Sequence, residues 1–161
     1  MSYPQESNNF LFLARSIAVP LVVGLLASLL TRNSMQVFED VNKPPLSPPA
    51  ILFPIVWTIL YTLMGISYYL VVNSGENEED IQKAGRIYWL QLIVNFLWPT
   101  FFFNFQWYLF SFFWLLLLWL LVIIMIKKFY TISKPAAWIN IPYFIWLTFA
   151  AYLNLGIFLL N

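Results

Sequence analysis

The stretch YLFSFFWLLLLWLLVIIMI, Tyr108 to Ile126, runs for 19 residues without a charged side chain. At 1.5 Å per residue such a helix nearly matches the roughly 30 Å hydrocarbon core of a bilayer. Moving outward along the chain, four more windows of comparable length and apolarity fit: about Phe10 to Leu30, Ile51 to Val72, Ala84 to Phe103, and Ala136 to Leu160. The whole composition agrees. Of 161 residues, 61% are hydrophobic and 20% aromatic, and only 9% are charged, against roughly 25% in a soluble domain. Mean hydropathy is +0.76. The expectation is an all-α integral membrane protein, a bundle of five transmembrane helices forming one domain over residues 1–161.

Two absences narrow the chemistry. The chain has no Cys and no His. Disulfides, thiolate nucleophiles, CxxC redox pairs and iron–sulfur clusters are excluded by the first. The second removes the commonest metal ligand and general base, and with it Ser-His-Asp hydrolysis, zinc hydrolysis and His-ligated haem. A net charge of +1 leaves no basic footprint for nucleic acid, and no metal site is expected.

Charge bias predicts orientation. With five crossings, Arg15, Lys83, Arg86, Lys127, Lys128 and Lys134 fall on one side, and only Arg32 and Lys43 on the other. That places the N-terminus inside, in a multi-pass protein of the cell membrane. No cleavable leader is expected, and Glu6 argues against an Arg-rich transit peptide. The acidic run Glu76 to Asp80 reads as a solvated loop. Pro20, Pro54, Pro99 and Pro142 each fall within an expected span. Proline kinks a membrane helix and can open gaps between helices, but it is also simply commoner there.

No Asp or Glu lies deep in a span, which argues against a proton-coupled carrier. Gln91 and Asn95 are four apart and share a helix face; Trp98 and Phe102 continue it, and Asn154 lies in the last span. These amides either bond between helices or face a ligand. Trp89, Trp107 and Trp138 read as interfacial anchors, and Trp114 and Trp119 as lipid-facing. Trp57, Trp98 and Trp146 lie inside spans and can converge beneath the first loop. That loop carries Lys43-Pro44-Pro45-Leu46-Ser47-Pro48-Pro49, whose paired prolines stiffen it; it reads as a lid or as a rigid connector. Gly24 and Ser28 form a small-xxx-small pair, a weak signal for a dimer face.

These residues carry a resemblance. The proline-rich loop followed by Phe53-Pro54-Ile55-Val56-Trp57-Thr58-Ile59-Leu60-Tyr61 is similar to the KPxxxPP…FPxxWTxLY segment of the TspO/MBR family of tryptophan-rich sensory and translocator proteins. Gln91, Asn95, Trp98 and Phe102-Phe103 resemble its QxxxNxxWxxxFF pattern. Pro142-Tyr143, Trp146, Ala150 and Leu153-Asn154 resemble its PYxxWxxxA…LN pattern. The likeness spans nearly the whole chain. It implies a five-helix bundle, commonly a homodimer, that binds protoporphyrin IX or another tetrapyrrole between its helices under the first loop. By motif position Trp57, Asn95, Trp98, Trp146, Ala150 and Asn154 are similar to the family's pocket residues, and Tyr61 and Phe102 complete the expected ligand-binding set. Phe38 and Pro48 resemble its lid residues; the family often carries Trp-Tyr where this chain has Val37-Phe38. The sterol motif of animal relatives is not expected here, because no basic residue follows Tyr152.

The leading expectation is therefore a membrane receptor or sensor for porphyrins and related hydrophobic molecules, with membrane lipid as its surroundings and no required cofactor. Indoles can stack on a flat macrocycle, and a metal-free porphyrin needs no axial ligand. Two alternatives stand beside it. One is an enzyme of light- or oxygen-dependent porphyrin breakdown, with Trp57 and Trp146 as its redox residues. The other is a tetrapyrrole or lipid transporter.

Overall fold

A computed structural model describes residues 10–34 and 36–161; Glu6 lies outside them. The described residues form helices and loops, with no strand among them. In chain order the helices are α1 (Phe10–Thr31), α2 (Gln36–Asp40), α3 (Leu52–Val72), α4 (Glu78–Pro99), α5 (Tyr108–Ile132), α6 (Lys134–Ile139) and α7 (Ile141–Leu160). A π-helical turn, Thr100–Asn104, extends α4.

Among the described residues, four helical units are long and apolar enough to cross a membrane: α1, α3, α5 and α6–α7 taken together. The expected third span falls short of that standard. Its helix, α4, opens with Glu78, Glu79 and Asp80 and later carries Gln91 and Asn95, which lower its hydropathy. Those two amides are buried, so the polarity of α4 in this half points into the bundle.

Each long unit packs on its neighbours to close a ring: α1 on α3 and α4, α5 on α4 and on α6–α7, and α3 on α6. Unlike a soluble bundle, this one is apolar on its outer surface as well as in its core, and several polar side chains are buried within it. Gln91, Asn95, Asn140, Asn154, Ser67 and Ser111 are all buried, while Leu29, Phe113, Leu120 and Ile145 stand more than half exposed on the outside. Only a surrounding apolar medium stabilises such a surface. Where α1 crosses α3, Gly65 lets the backbones touch; a Cβ there would overlap the Ser16 carbonyl and the Ile17 backbone.

The four prolines, which the sequence left open as kinks or as ordinary membrane-helix residues, take different positions. Pro20 is inside α1. Pro54 lies in the first turn of α3 and Pro142 in that of α7, where no intrahelical N–H is needed. Pro99 ends α4. Its missing N–H releases a carbonyl one turn back, and the chain widens into the π turn, with Phe105 N–H bonding the Thr100 carbonyl five residues earlier (3.1 Å). The last expected span is broken at Asn140, whose Nδ2 donates to Ser67 Oγ at 2.6 Å and to the Ala136 carbonyl at 2.9 Å.

The tryptophans of α5 also differ from the lipid-facing reading. The indole of Trp114 donates to the Val94 carbonyl (2.8 Å) and that of Trp119 to Thr148 Oγ1 (2.9 Å). Both are half-buried and tie α5 to α4 and α7. An indole N–H in an apolar environment gains from an acceptor, so these side chains turn inward.

Candidate functional site

Three helices enclose a cavity of about 330 Å³. On α1, Leu21, Gly24, Leu25 and Ser28 follow the spacing of one helical face. On α3, Phe53, Trp57, Thr58 and Tyr61 do the same, and α4 supplies Asn95 and Trp98. Phe103, on the π turn, closes one end. Among the described residues the lining contains no charged side chain. Leu25, Ser28, Pro54 and Thr58 line the cavity and are themselves exposed, so its mouth lies on the outer surface between α1 and α3. Its volume is near the lower end of the roughly 300–1,000 Å³ usual for small-molecule sites.

Small residues on α1 make the space. A Cβ on Gly24 would overlap the Tyr61 ring. The Gly24–Ser28 pair thus faces the cavity, where its spacing alone had suggested a dimer surface.

Four of the ten expected ligand-binding residues line this cavity: Trp57, Tyr61, Asn95 and Trp98. Two stand behind it. Phe102 stacks on Trp98 (ring centroids 5.2 Å apart). Asn154 accepts from the Trp98 indole N–H at 3.1 Å and from Ser111 Oγ at 3.1 Å, and donates to the Tyr108 carbonyl at 2.7 Å. This holds the Trp98 ring in one orientation.

The remaining four lie elsewhere. Phe38 is buried and meets Phe53 edge-on (5.0 Å). Phe53 in turn meets Trp146 edge-on (5.8 Å). Trp146 lines a separate apolar groove on the outer face of α3 and α7, with Val56, Ile59 and Ile145. Its buried Nε1 has no acceptor among the described residues. Ala150 is buried in the main core, and Pro48 is half-buried in the first loop. Trp57 and Trp98 therefore share one cavity, and Trp146 is separated from them by Phe53.

Behind the cavity wall a chain of hydrogen bonds crosses the bundle. Tyr61 Oη donates to Asn95 Oδ1 (2.8 Å), Asn95 Nδ2 to Tyr143 Oη (2.6 Å), and Tyr143 Oη to Gln91 Oε1 (2.9 Å). All four residues are buried. Tyr143 was not among the expected site residues, although its motif was quoted. The signal for it would have been the need of two buried amides for partners.

The first loop is clamped to the end of α7. Pro44 is buried against Gly156, where a Cβ would overlap its ring. Tyr152 Oη donates to the Pro45 carbonyl (2.7 Å). Asn42 N–H donates to Asn161 Oδ1 and Asn161 Nδ2 to the Asn42 carbonyl, each at 2.9 Å. Lys43 Nζ lies 5.2 Å from the Phe38 ring centroid and donates to the Glu39 carbonyl.

A family model described as the TspO/MBR family matches residues 16–160. A tryptophan-rich protein TspO of Chlorobaculum tepidum is 33% identical over 156 residues, covering 96% of this chain and 99% of that one. One of Archaeoglobus fulgidus is 38% identical over 154 residues, covering 95% and 99%. A translocator protein of Ovis aries is 34% identical over 119 residues, covering 73% and 70%.

Proposed function

The chain belongs to the TspO/MBR family and is an integral membrane protein, and from that premise we propose that it binds protoporphyrin IX or a related tetrapyrrole as a membrane receptor. In this reading α4 is the fifth membrane crossing, its amides satisfied inside the bundle and its acidic first turn in water. The N-terminus lies on the side of Lys127, Lys128 and Lys134.

One observation carries the proposal. Among the described residues the cavity presents two indoles, Trp57 and Trp98, and a phenol, Tyr61, around a single amide, Asn95, with no charged lining. Flat aromatic faces attract a flat π-system, and one polar group in an apolar wall orients it. A macrocycle wider than the cavity extends through the mouth between α1 and α3, with its acidic side groups reaching toward the membrane surface. Phe38 supports the wall from the lid side through Phe53.

The test is a titration of the purified chain with protoporphyrin IX, in the dark, read by tryptophan fluorescence. Saturable quenching is expected, weakened by Ser28→Phe at the exposed mouth. Equal quenching in that variant rejects this cavity. The same sample under light separates binding from breakdown: a porphyrin absorption band that persists fits a receptor. Its loss with a new product, faster than with free tryptophan, moves the reading to an enzyme.

A further inference from the structure

A proline in a helix leaves one carbonyl without its usual donor. In α4 that carbonyl belongs to Asn95, four residues before Pro99, which has no N–H to give it. The next N–H along the chain does not take its place, because Thr100 donates to the Leu97 carbonyl. No side chain among the described residues donates to it either. Its neighbour one residue back is treated differently: the Val94 carbonyl receives the Trp114 indole N–H at 2.8 Å. In a membrane bundle a carbonyl freed by proline is ordinarily met by another helix, a hydroxyl or water.

The location of this carbonyl gives it a use. Asn95 and Pro99 both line the cavity and lie one turn apart on one face of α4. The proline ring crowds the carbonyl four residues back and tilts it off the helix axis, and the space beside that face is the cavity. Other polar groups of the wall are already spent. Both polar atoms of the Asn95 side chain are bonded, one to Tyr61 and one to Tyr143. The hydroxyls of Thr58 and Thr31 donate within their own helices, to the Pro54 and Ala27 carbonyls.

We propose that the Asn95 main-chain carbonyl is a hydrogen-bond acceptor of the cavity, that it selects hydrophobic ligands carrying an N–H or O–H donor on their edge, and that Pro99 is the positioning residue that keeps it free. The inference rests on the reading of the cavity as a ligand site and adds to it a donor on the ligand. Because the acceptor is backbone, truncating the Asn95 side chain does not remove it. Replacing Pro99 does. In Pro99→Ala the new N–H lies where a helix places the donor for a carbonyl four residues back, and the turn closes on itself.

The experiment uses the full chain in detergent with two flat probes of one outline, carbazole, which has an edge N–H, and dibenzofuran, which has none. Both are titrated by calorimetry. The carbazole-to-dibenzofuran affinity ratio should be roughly three- to ten-fold higher in the unsubstituted chain than in Pro99→Ala, the worth of one net hydrogen bond. Partition of the probes into detergent cancels in that comparison. A second measurement needs no substitution. The chain is made with asparagine carrying carbon-13 at its main-chain carbonyl; among the described residues Asn95 is the one asparagine of the lining. Infrared difference spectra should show carbazole moving one labelled carbonyl band to lower frequency and dibenzofuran moving none, a result that stands even where Pro99→Ala does not fold. The same affinity ratio in both chains, or carbazole bound with no shift of a labelled band, overturns the acceptor while the cavity stands as a site. If neither probe binds the unsubstituted chain, the cavity reading fails and the acceptor with it.

Discussion

Replacing Asn154 by Leu removes the amide that fixes Trp98 while keeping the volume close. Asn154 is 1% exposed and makes its bonds to Trp98, Ser111 and Tyr108. Ser111 Oγ keeps a second acceptor, the Tyr108 carbonyl at 2.9 Å, so the Trp98 N–H alone is orphaned. An unsatisfied donor costs about 1–3 kcal/mol in a protein core, but interhelical bonds in a membrane average only about 0.6 kcal/mol. A loss of about 1–2 kcal/mol of stability follows from the two ranges. The ring stays in place against Phe102 but is free to tilt, so protoporphyrin IX affinity should fall by roughly two- to five-fold, or about 0.5–1 kcal/mol. The assay is a double-mutant cycle of Asn154→Leu with Trp98→Phe, read by thermal unfolding and by porphyrin titration. Because Trp98→Phe already removes the N–H, the second substitution should add little, giving a coupling of about 1 kcal/mol. Effects that add to within about 0.3 kcal/mol would refute the claim that Asn154 acts through Trp98.

Two further outcomes test the frame around the site. Gly65→Ala forces its methyl into the α1 backbone and should destabilise by about 1–3 kcal/mol as overpacking does; Gly85→Ala, whose Cβ meets the Tyr68 ring at an ordinary 3.8 Å, should be neutral or stabilising by thermal unfolding. At the water-exposed start of α4, Glu79 and Lys83 pair at 2.7 Å; the hydrogen bond and charge of Lys83 lower the Glu79 pKa and raise that of Lys83. The contribution of a depressed carboxylate is present at neutral pH and lost as pH falls through its lowered folded value. Amide protection in the first turns of α4, taken relative to the intrinsic exchange rate at each pH, should therefore fall under acid, and only modestly, since the pair is solvent-screened. Unchanged protection down to pH 2 would contradict the pairing.

The sequence made the apolar architecture legible because lipid imposes one requirement, a long charge-free helix, and Tyr108 to Ile126 meets it directly. The third expected span, Ala84 to Phe103, is less apolar than the other four because α4 starts on acidic residues and carries Gln91 and Asn95. The motifs brought forward Trp57, Tyr61, Asn95 and Trp98, and these four line one cavity. Periodicity could not give what depends on how helices cross. Gly24 reads the same whether it meets a second chain or, as here, the Tyr61 ring. Trp146 lies on the side of Phe53 away from the cavity, a matter of helix rotation that spacing within one helix leaves open. Trp114 and Trp119 looked lipid-facing because every neighbour is apolar; their acceptors, Val94 O and Thr148 Oγ1, lie on other helices.

The most direct test of the cavity as the ligand site exploits the absence of cysteine from the chain. A single thiol is introduced as Ser28→Cys at the mouth, and in a second protein as Ile145→Cys on the groove beside Trp146. Each is labelled with a maleimide in detergent, with and without protoporphyrin IX. The account predicts that the porphyrin slows labelling at position 28 and leaves position 145 unaffected. Protection at 145 with none at 28 would place the ligand outside the cavity and contradict it.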